Sequence, residues 1–206
     1  MDWESFKDYF RLTWSESILK RFRENGKCCM EKVVVALNIC ERRLLTLDEA
    51  IEQFGEATNN ALVTDEVWSI LTLSNKQVQS TAEGQKILQS RWFREIASLY
   101  IQYGQNTAAA TDEASIQESA DYKYLQVRVD QVLKMMEERY PQFKLNGSRN
   151  LWIVKPGQRS RGRGIEVYNN LDDILKHMKT AQGGKQVIQK YIENPLIIDN
   201  KKFDIR

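Results

Sequence analysis

The 206 residues, 42% hydrophobic and 28% charged, make a chain long enough to bury a core and to form one or two domains. This composition excludes disorder throughout; no 18-residue apolar run suited to a membrane helix occurs, and the acidic start Met1-Asp2-Trp3-Glu4 is unlike a signal peptide's basic flank. The net charge of +2 conceals a division, because residues 1–145 carry 18 Lys/Arg against 22 Asp/Glu whereas residues 146–206 carry 12 against 6. Three cysteines (Cys28, Cys29, Cys40) give neither a disulfide framework nor metal-ligand spacing, so a soluble protein of a reducing compartment is expected.

The first 145 residues read mainly as helix. Trp3, Phe6, Phe10 and Trp14 recur on one helical face, with Glu4, Asp8 and Arg11 off it. Glu31 to Leu47 is a second helix, although Val33-Val34-Val35 keeps a strand open for its start. Asp65 to Leu73 is short and ambiguous, and Gln85 to Tyr103 reads as one helix with Ile87, Leu88, Trp92, Ile96, Leu99 and Tyr100 along one side. The polar stretch 104–120 reads as a loop or disordered insert, and Tyr122 to Tyr140 returns to helical periodicity until Pro141 ends it. No catalytic or metal spacing occurs in this half.

All three prolines lie after residue 140, and a domain boundary is placed near Asn146-Gly147. Beyond it the text becomes strand-like. Leu151-Trp152-Ile153-Val154 is an apolar run that predicts a buried strand, at whose exit Lys155 can lay its stem on apolar surface while its ammonium reaches a cleft. Gly157-Gln158-Arg159-Ser160-Arg161-Gly162-Arg163-Gly164 then combines glycines, arginines and a hydroxyl, the residue types that cradle a polyphosphate. It is neither a Walker A loop nor a Rossmann fingerprint. Nucleic acid competes as its ligand, but the stacking aromatics expected for that are missing.

Asn169 or Asn170 caps a predicted helix from Leu171 to about Thr180, and His177 falls off its apolar stripe as a surface residue without a role. A strand is predicted over Gln186 to Ile192, leading through Glu193-Asn194 to Pro195. A strand-to-linker passage with free backbone groups there suits the edge of a purine. Lys202-Phe203-Asp204-Ile205-Arg206 alternates, which puts Lys202, Asp204 and Arg206 on one face.

Four ordered blocks, Leu151-Trp152-Ile153-Val154-Lys155-Pro156, Ser160-Arg161-Gly162-Arg163-Gly164-Ile165, Gln189-Lys190-Tyr191-Ile192-Glu193-Asn194-Pro195 and Lys202-Phe203-Asp204-Ile205-Arg206, resemble the tubulin tyrosine ligase-like family. With Gly157 after the Lys-Pro pair, the chain is most similar to the tubulin monoglycylase branch. The resemblance implies an α+β chain: a mainly helical region over 1–145, then the first part of an ATP-grasp α/β domain over 146–206. It implies an ATP-dependent ligase that adds glycine to glutamate γ-carboxylates in tubulin tails through an acyl phosphate.

By the same resemblance Lys155 binds the α/β-phosphates, and Arg161 and Gly162 belong to a mobile loop over them, Arg161 also touching the protein substrate. Gln189, Lys190, Tyr191 and Ile192 hold the adenine, and Lys202, Phe203 and Asp204 complete the nucleotide site. Arg206 is the catalytic cation. Tubulin or microtubules and glycine are the implied partners, without nucleic acid or membrane, at the cytoskeleton and the ciliary or flagellar axoneme. The family's Mg2+ ligands lie C-terminal of the Lys-Phe-Asp-Ile-Arg block, so an incomplete form is expected. A polyglutamylase of the same family and a non-catalytic microtubule-binding fragment are the alternatives, the latter resting on the basic segment alone.

Overall fold

A computed structural model describes residues 3–26, 28–52, 63–101, 120–158, 161–180 and 185–203. The chain divides into two compact units, Met1–Arg139 and Tyr140–Arg206. The first is helical throughout its described part: α1 (Trp3–Asn25), α2 (Met30–Glu52), α3 (Asp65–Thr72), α4 (Asn75–Ser80), α5 (Ala82–Leu88), α6 (Arg91–Tyr100) and α7 (Ala120–Arg139). The second carries β1 (Trp152–Pro156), β2 (Glu166–Tyr168), α8 (Leu171–Thr180) and β3 (Gln186–Lys190). Among the described residues the fold is mixed, mostly helical with one small antiparallel sheet.

Helices α1, α2 and α7 pack on one another at the centre of the first unit. Val33, Val34 and Val35 are helical and fully buried, because the apolar area they remove from water outweighs the modest entropy cost of β-branched residues in a helix. The aromatic stripe of α1 is only part of what that helix buries. Phe6 and Phe10 are inside, Trp3 is 46% exposed, and the segment from Phe10 to Lys20 is buried nearly all round. Its hydroxyls survive burial by bonding back to the preceding turn: Ser15 Oγ donates to the Arg11 carbonyl at 2.9 Å, and Ser17 Oγ to that of Trp14 at 2.7 Å.

Arg11, expected off the packed face, is 8% exposed. Its guanidinium donates to the Val63 carbonyl at 2.8 Å, pairs with Asp65 and lies 5.6 Å from the centre of the Trp68 ring. Burial of that charge is tolerated because both terminal nitrogens find acceptors at the start of α3, Nη1 on Val63 and Nη2 on Asp65, while Nε is left buried without one. Trp68 in turn meets Phe10 and Trp14 edge-on at 6.0 and 5.8 Å.

The single helix expected over 85–103 is two helices. Ser90 interrupts it: its hydroxyl donates to the Ile87 carbonyl at 2.6 Å and accepts the Phe93 amide at 3.3 Å, closing α5 and capping α6. The break turns the apolar face, so Phe93 and Tyr100 are buried while Leu99 is 60% exposed. Glu41 of α2 ties this region together, accepting from Tyr100 Oη and from Arg128 Nε of α7, each at 2.6 Å. The polar stretch 104–120 lies outside the described residues except for Ala120, which opens α7.

In the second unit, the strands lie in the order β2-β1-β3, both pairings antiparallel. The run at Leu151–Val154 is not buried on both faces as expected. Trp152 and Val154 are inside while Ile153 is half-buried, the alternation of an antiparallel sheet covered on one side. Leu171 and Ile174 of α8 are buried, and α8 packs on β2. The Asn170 side chain caps α8 by accepting the Asp172 and Asp173 amides at 2.8 and 3.3 Å. β3 ends at Lys190, two residues before the predicted limit.

Leu133 of α7 is fully buried, so Leu133→Ala is expected to lower the stability of the helical unit by about 2–5 kcal/mol through lost transfer energy and a residual cavity. Urea unfolding followed by far-UV circular dichroism measures this, and a loss below about 1 kcal/mol would contradict the packing described.

Candidate functional site

Antiparallel partners share a face of the sheet. Ile153 is opposite Val167 and Gln189, and Lys155 is opposite Val187, so these five lie on the face away from Trp152 and Val154. The lysine therefore leaves β1 over apolar surface, and its Nζ donates to Gln189 Oε1 at 2.8 Å. A groove of about 560 Å³ opens on this face, within the usual range for a small-molecule ligand. Ile153, Lys155 and Gln189 form its sheet side, and Leu145, Pro195 and Leu196 add apolar walls.

Of the residues proposed from sequence, Lys155, Gln189, Lys190, Tyr191, Ile192, Lys202 and Phe203 all line this groove. Lys202 Nζ sits 5.3 Å from the Tyr191 ring centre and 3.4 Å from its hydroxyl oxygen, so two lysines from distant parts of the segment converge on one cavity. Arg161 and Gly162 lie in the turn 161–164, separate from the groove lining, with φ of 59° and 73°. A positive φ at Gly162 costs little because no Cβ meets the backbone. Asp204 and Arg206, and with them most of the predicted terminal strand, lie outside the described residues.

Immediately after β3 the chain is pinned from behind. Lys190 Nζ donates to Glu193 Oε1 at 2.8 Å and to the Leu151 carbonyl at 3.1 Å, while the Glu193 carboxylate accepts the amides of Arg149 and Leu151 at 3.0 and 2.9 Å. Burial pushes the Glu193 carboxyl's pKa up, but the hydrogen bonds from Lys190 and the two amides outweigh it and hold it below the ordinary value. Gly147 leaves the room: a Cβ there would stand 2.3 Å from Glu193 Oε2 and 2.7 Å from its Cβ. Sequence reasoning passed over Glu193 and Gly147 because each looks like ordinary turn composition. The signal was the Gly147 of a short polar loop set against an acidic residue 46 positions on, which only the fold connects.

His177 is half-buried, on the opposite face from the groove. Its Nδ1 lies 2.9 Å from the Tyr168 hydroxyl, which also donates to Glu166. Burial and then the neighbouring Glu166 carboxylate raise the Tyr168 hydroxyl to about 12. This trio joins β2 to α8.

The sequence pattern of the Tubulin-tyrosine ligase family matches residues 98–206. The chain belongs to that family. Among its relatives in this family, Tubulin glycylase 3C of Tetrahymena thermophila is 34% identical over the whole of this chain, which spans 22% of that protein. Tubulin monoglycylase TTLL3 of Mus musculus is 44% identical over 44% of this chain and 11% of its own length. Tubulin glycylase 3B of Drosophila melanogaster is 51% identical over 36% of this chain and 10% of its own length. The chain thus spans about a fifth of the length of the relatives that cover it fully. Among the described residues of this family member, no helix is long and apolar enough to cross a membrane.

Glu193 binds its proton less tightly folded than unfolded, so its stabilisation is complete above the unfolded value of 4.5 and is lost as pH falls through the lower folded one. Glu193→Gln is expected to lower stability at neutral pH and to flatten the acid limb of the profile, read by urea unfolding from about pH 3 to about pH 7. An acid limb of unchanged slope would contradict this.

Proposed function

We propose that this chain supplies the nucleotide-binding part of an ATP-dependent ligase that joins glycine to glutamate γ-carboxylates of tubulin. The observation that carries the reading is the convergence of Lys155, Gln189, Tyr191 and Lys202 on one groove within the region matched by the family. The names of the relatives, glycylases and monoglycylases, favour glycine as the amine donor.

In this reading the adenine lies against the groove's apolar walls, its edge toward the main chain at Lys190 to Ile192. Lys155 and Lys202 face the phosphates. Transfer of the γ-phosphoryl group to a glutamate carboxylate breaks the bond to the β-phosphate oxygen and gives ADP and an acyl phosphate. The glycine amine attacks the acyl carbon, phosphate leaves, and the amine's proton is released. Positioned cations and N–H groups stabilise the charge that spreads over the transferred phosphoryl oxygens. The turn at Arg161–Gly164 and its arginines are suited to the phosphates and to an acidic peptide, in keeping with the excess of 12 Lys/Arg over 6 Asp/Glu in residues 146–206. Asp204 and Arg206 take the roles expected of them from the resemblance: contact with the nucleotide and with the reacting phosphate or carboxylate.

The family resemblance calls for Mg2+. Among the described residues no group of three or more His, Cys, Asp or Glu side chains converges to hold a metal. The described residues therefore do not fit the ion.

Transfer of labelled glycine to purified tubulin, dependent on ATP, is the expected activity of the protein that carries this chain. Lys155→Ala is expected to reduce it by about 100-fold or more, the loss typical of one charge-stabilising group. Undiminished transfer by the variant would overturn the site, and incorporation of labelled glutamate instead would establish the polyglutamylase reading. Salt-sensitive microtubule pelleting without ATP binding would establish the non-catalytic one.

A further inference from the structure

We propose that Lys190 and Glu193, with Gly147, form a latch that positions the base-binding edge of the groove, so that they act on nucleotide affinity without touching the nucleotide. This rests on the nucleotide reading above and reassigns Lys190 from ligand contact to positioning.

The register carries the argument. An antiparallel pair at hydrogen-bonded positions exchanges two bonds. Continuing the pairing of Trp152 with Lys190 makes Leu151 and Tyr191 such a pair, and the Tyr191 amide does donate to the Leu151 carbonyl at 3.0 Å. The second bond is replaced. The Leu151 amide goes to the Glu193 carboxylate at 2.9 Å, and the Tyr191 carbonyl accepts from Lys190 Nζ at 3.4 Å. An ion pair has taken the last rung of the ladder. The chain leaves the sheet there, and the amides of Glu193 and Asn194 both turn onto the Leu145 carbonyl at 3.0 and 3.2 Å.

Burial makes the arrangement expensive as mere structure. The Lys190 and Glu193 side chains are 8% and 6% exposed, and a buried ion pair stabilises a fold little better than apolar residues of the same volume. What apolar residues cannot do is satisfy four main-chain groups at once: the amides of Arg149 and Leu151, and the carbonyls of Leu151 and Tyr191. With its ammonium so engaged, Lys190 offers a ligand its main chain. Tyr191 directs its amide toward β1, so the alternation of the strand directs the main-chain groups of Lys190 to the open side of β3, where no strand pairs among the described residues. Its neighbours Tyr191 and Ile192 line the groove, and the chain that turns on Glu193 returns as the wall at Pro195 and Leu196. The latch thus fixes both the edge that would read a base and the wall it would lie against. Of the two lysines on the phosphate side, Lys155 is carried by β1 and stands clear of the latch.

The test separates base from phosphate. In the 206-residue chain, Glu193→Gln and Lys190→Met are each expected to weaken ATP binding about tenfold or more while leaving inorganic tripolyphosphate within about twofold, measured by titration calorimetry. Lys190→Arg, which keeps the donors, is expected to retain more ATP affinity than Lys190→Met. A chain that binds ATP and loses none of it in either variant overturns the latch, as does a parallel loss of both ligands. Failure of the unaltered chain to bind ATP overturns the nucleotide reading and the latch with it.

Should both variants unfold, amide exchange on the unaltered chain decides. Coupling is reciprocal, so ATP must slow exchange at the Arg149 and Leu151 amides and tripolyphosphate must not. Equal effects of the two ligands there overturn the proposal.

Discussion

The alternation along β1 is the constraint on which the second unit depends. Trp152 and Val154 commit one face of the strand to the interior, where the Trp152 indole also donates to the Asn150 side chain at 3.1 Å. Ile153 and Lys155 are thereby committed to the other face, and a shift of one residue would exchange the two sets. Both neighbouring strands take their register from this one, so Gln189 arrives beside Lys155 and Val167 beside Ile153 as a consequence of what Trp152 buries. The groove is in this sense the reverse side of a packing decision.

The helical unit solves a different problem. Helix α1 carries more polar residues through the interior than an amphipathic surface helix does, and several of them are met locally or by a neighbour. Hydroxyls bond back to the preceding turn, and Arg11 reaches Val63 and Asp65. Interiors so arranged specify one packing, because displacement of the helix would strand a buried donor.

How much of this was legible depended on how local the cause was. The α8 helix could be read to its ends because its cap, first-turn acids and apolar stripe all lie within ten residues of sequence. Val33 to Val35 left helix and strand open, since local propensity and burial disagree there and only packing decides. The break at Ser90 hid inside good helical periodicity, because a serine cap costs the pattern nothing. At the groove, residues such as Lys155 and Tyr191 sit in recognisable blocks. Glu193 was visible in such a block, but its work was not: the amides it accepts belong to residues more than 40 positions earlier. The burial of Arg11 was illegible for the same reason.

The open side of β3 has a consequence for how selectivity at this groove can change. A ligand seated along that edge would take the place of a neighbouring strand, and the order of donors and acceptors it met would be dictated by peptide geometry. No side-chain replacement at Lys190 or Tyr191 rewrites that order. Side-chain drift at these two positions therefore alters how tightly the edge holds a ligand, whereas the order of main-chain donors and acceptors along it changes only with an inserted or deleted residue.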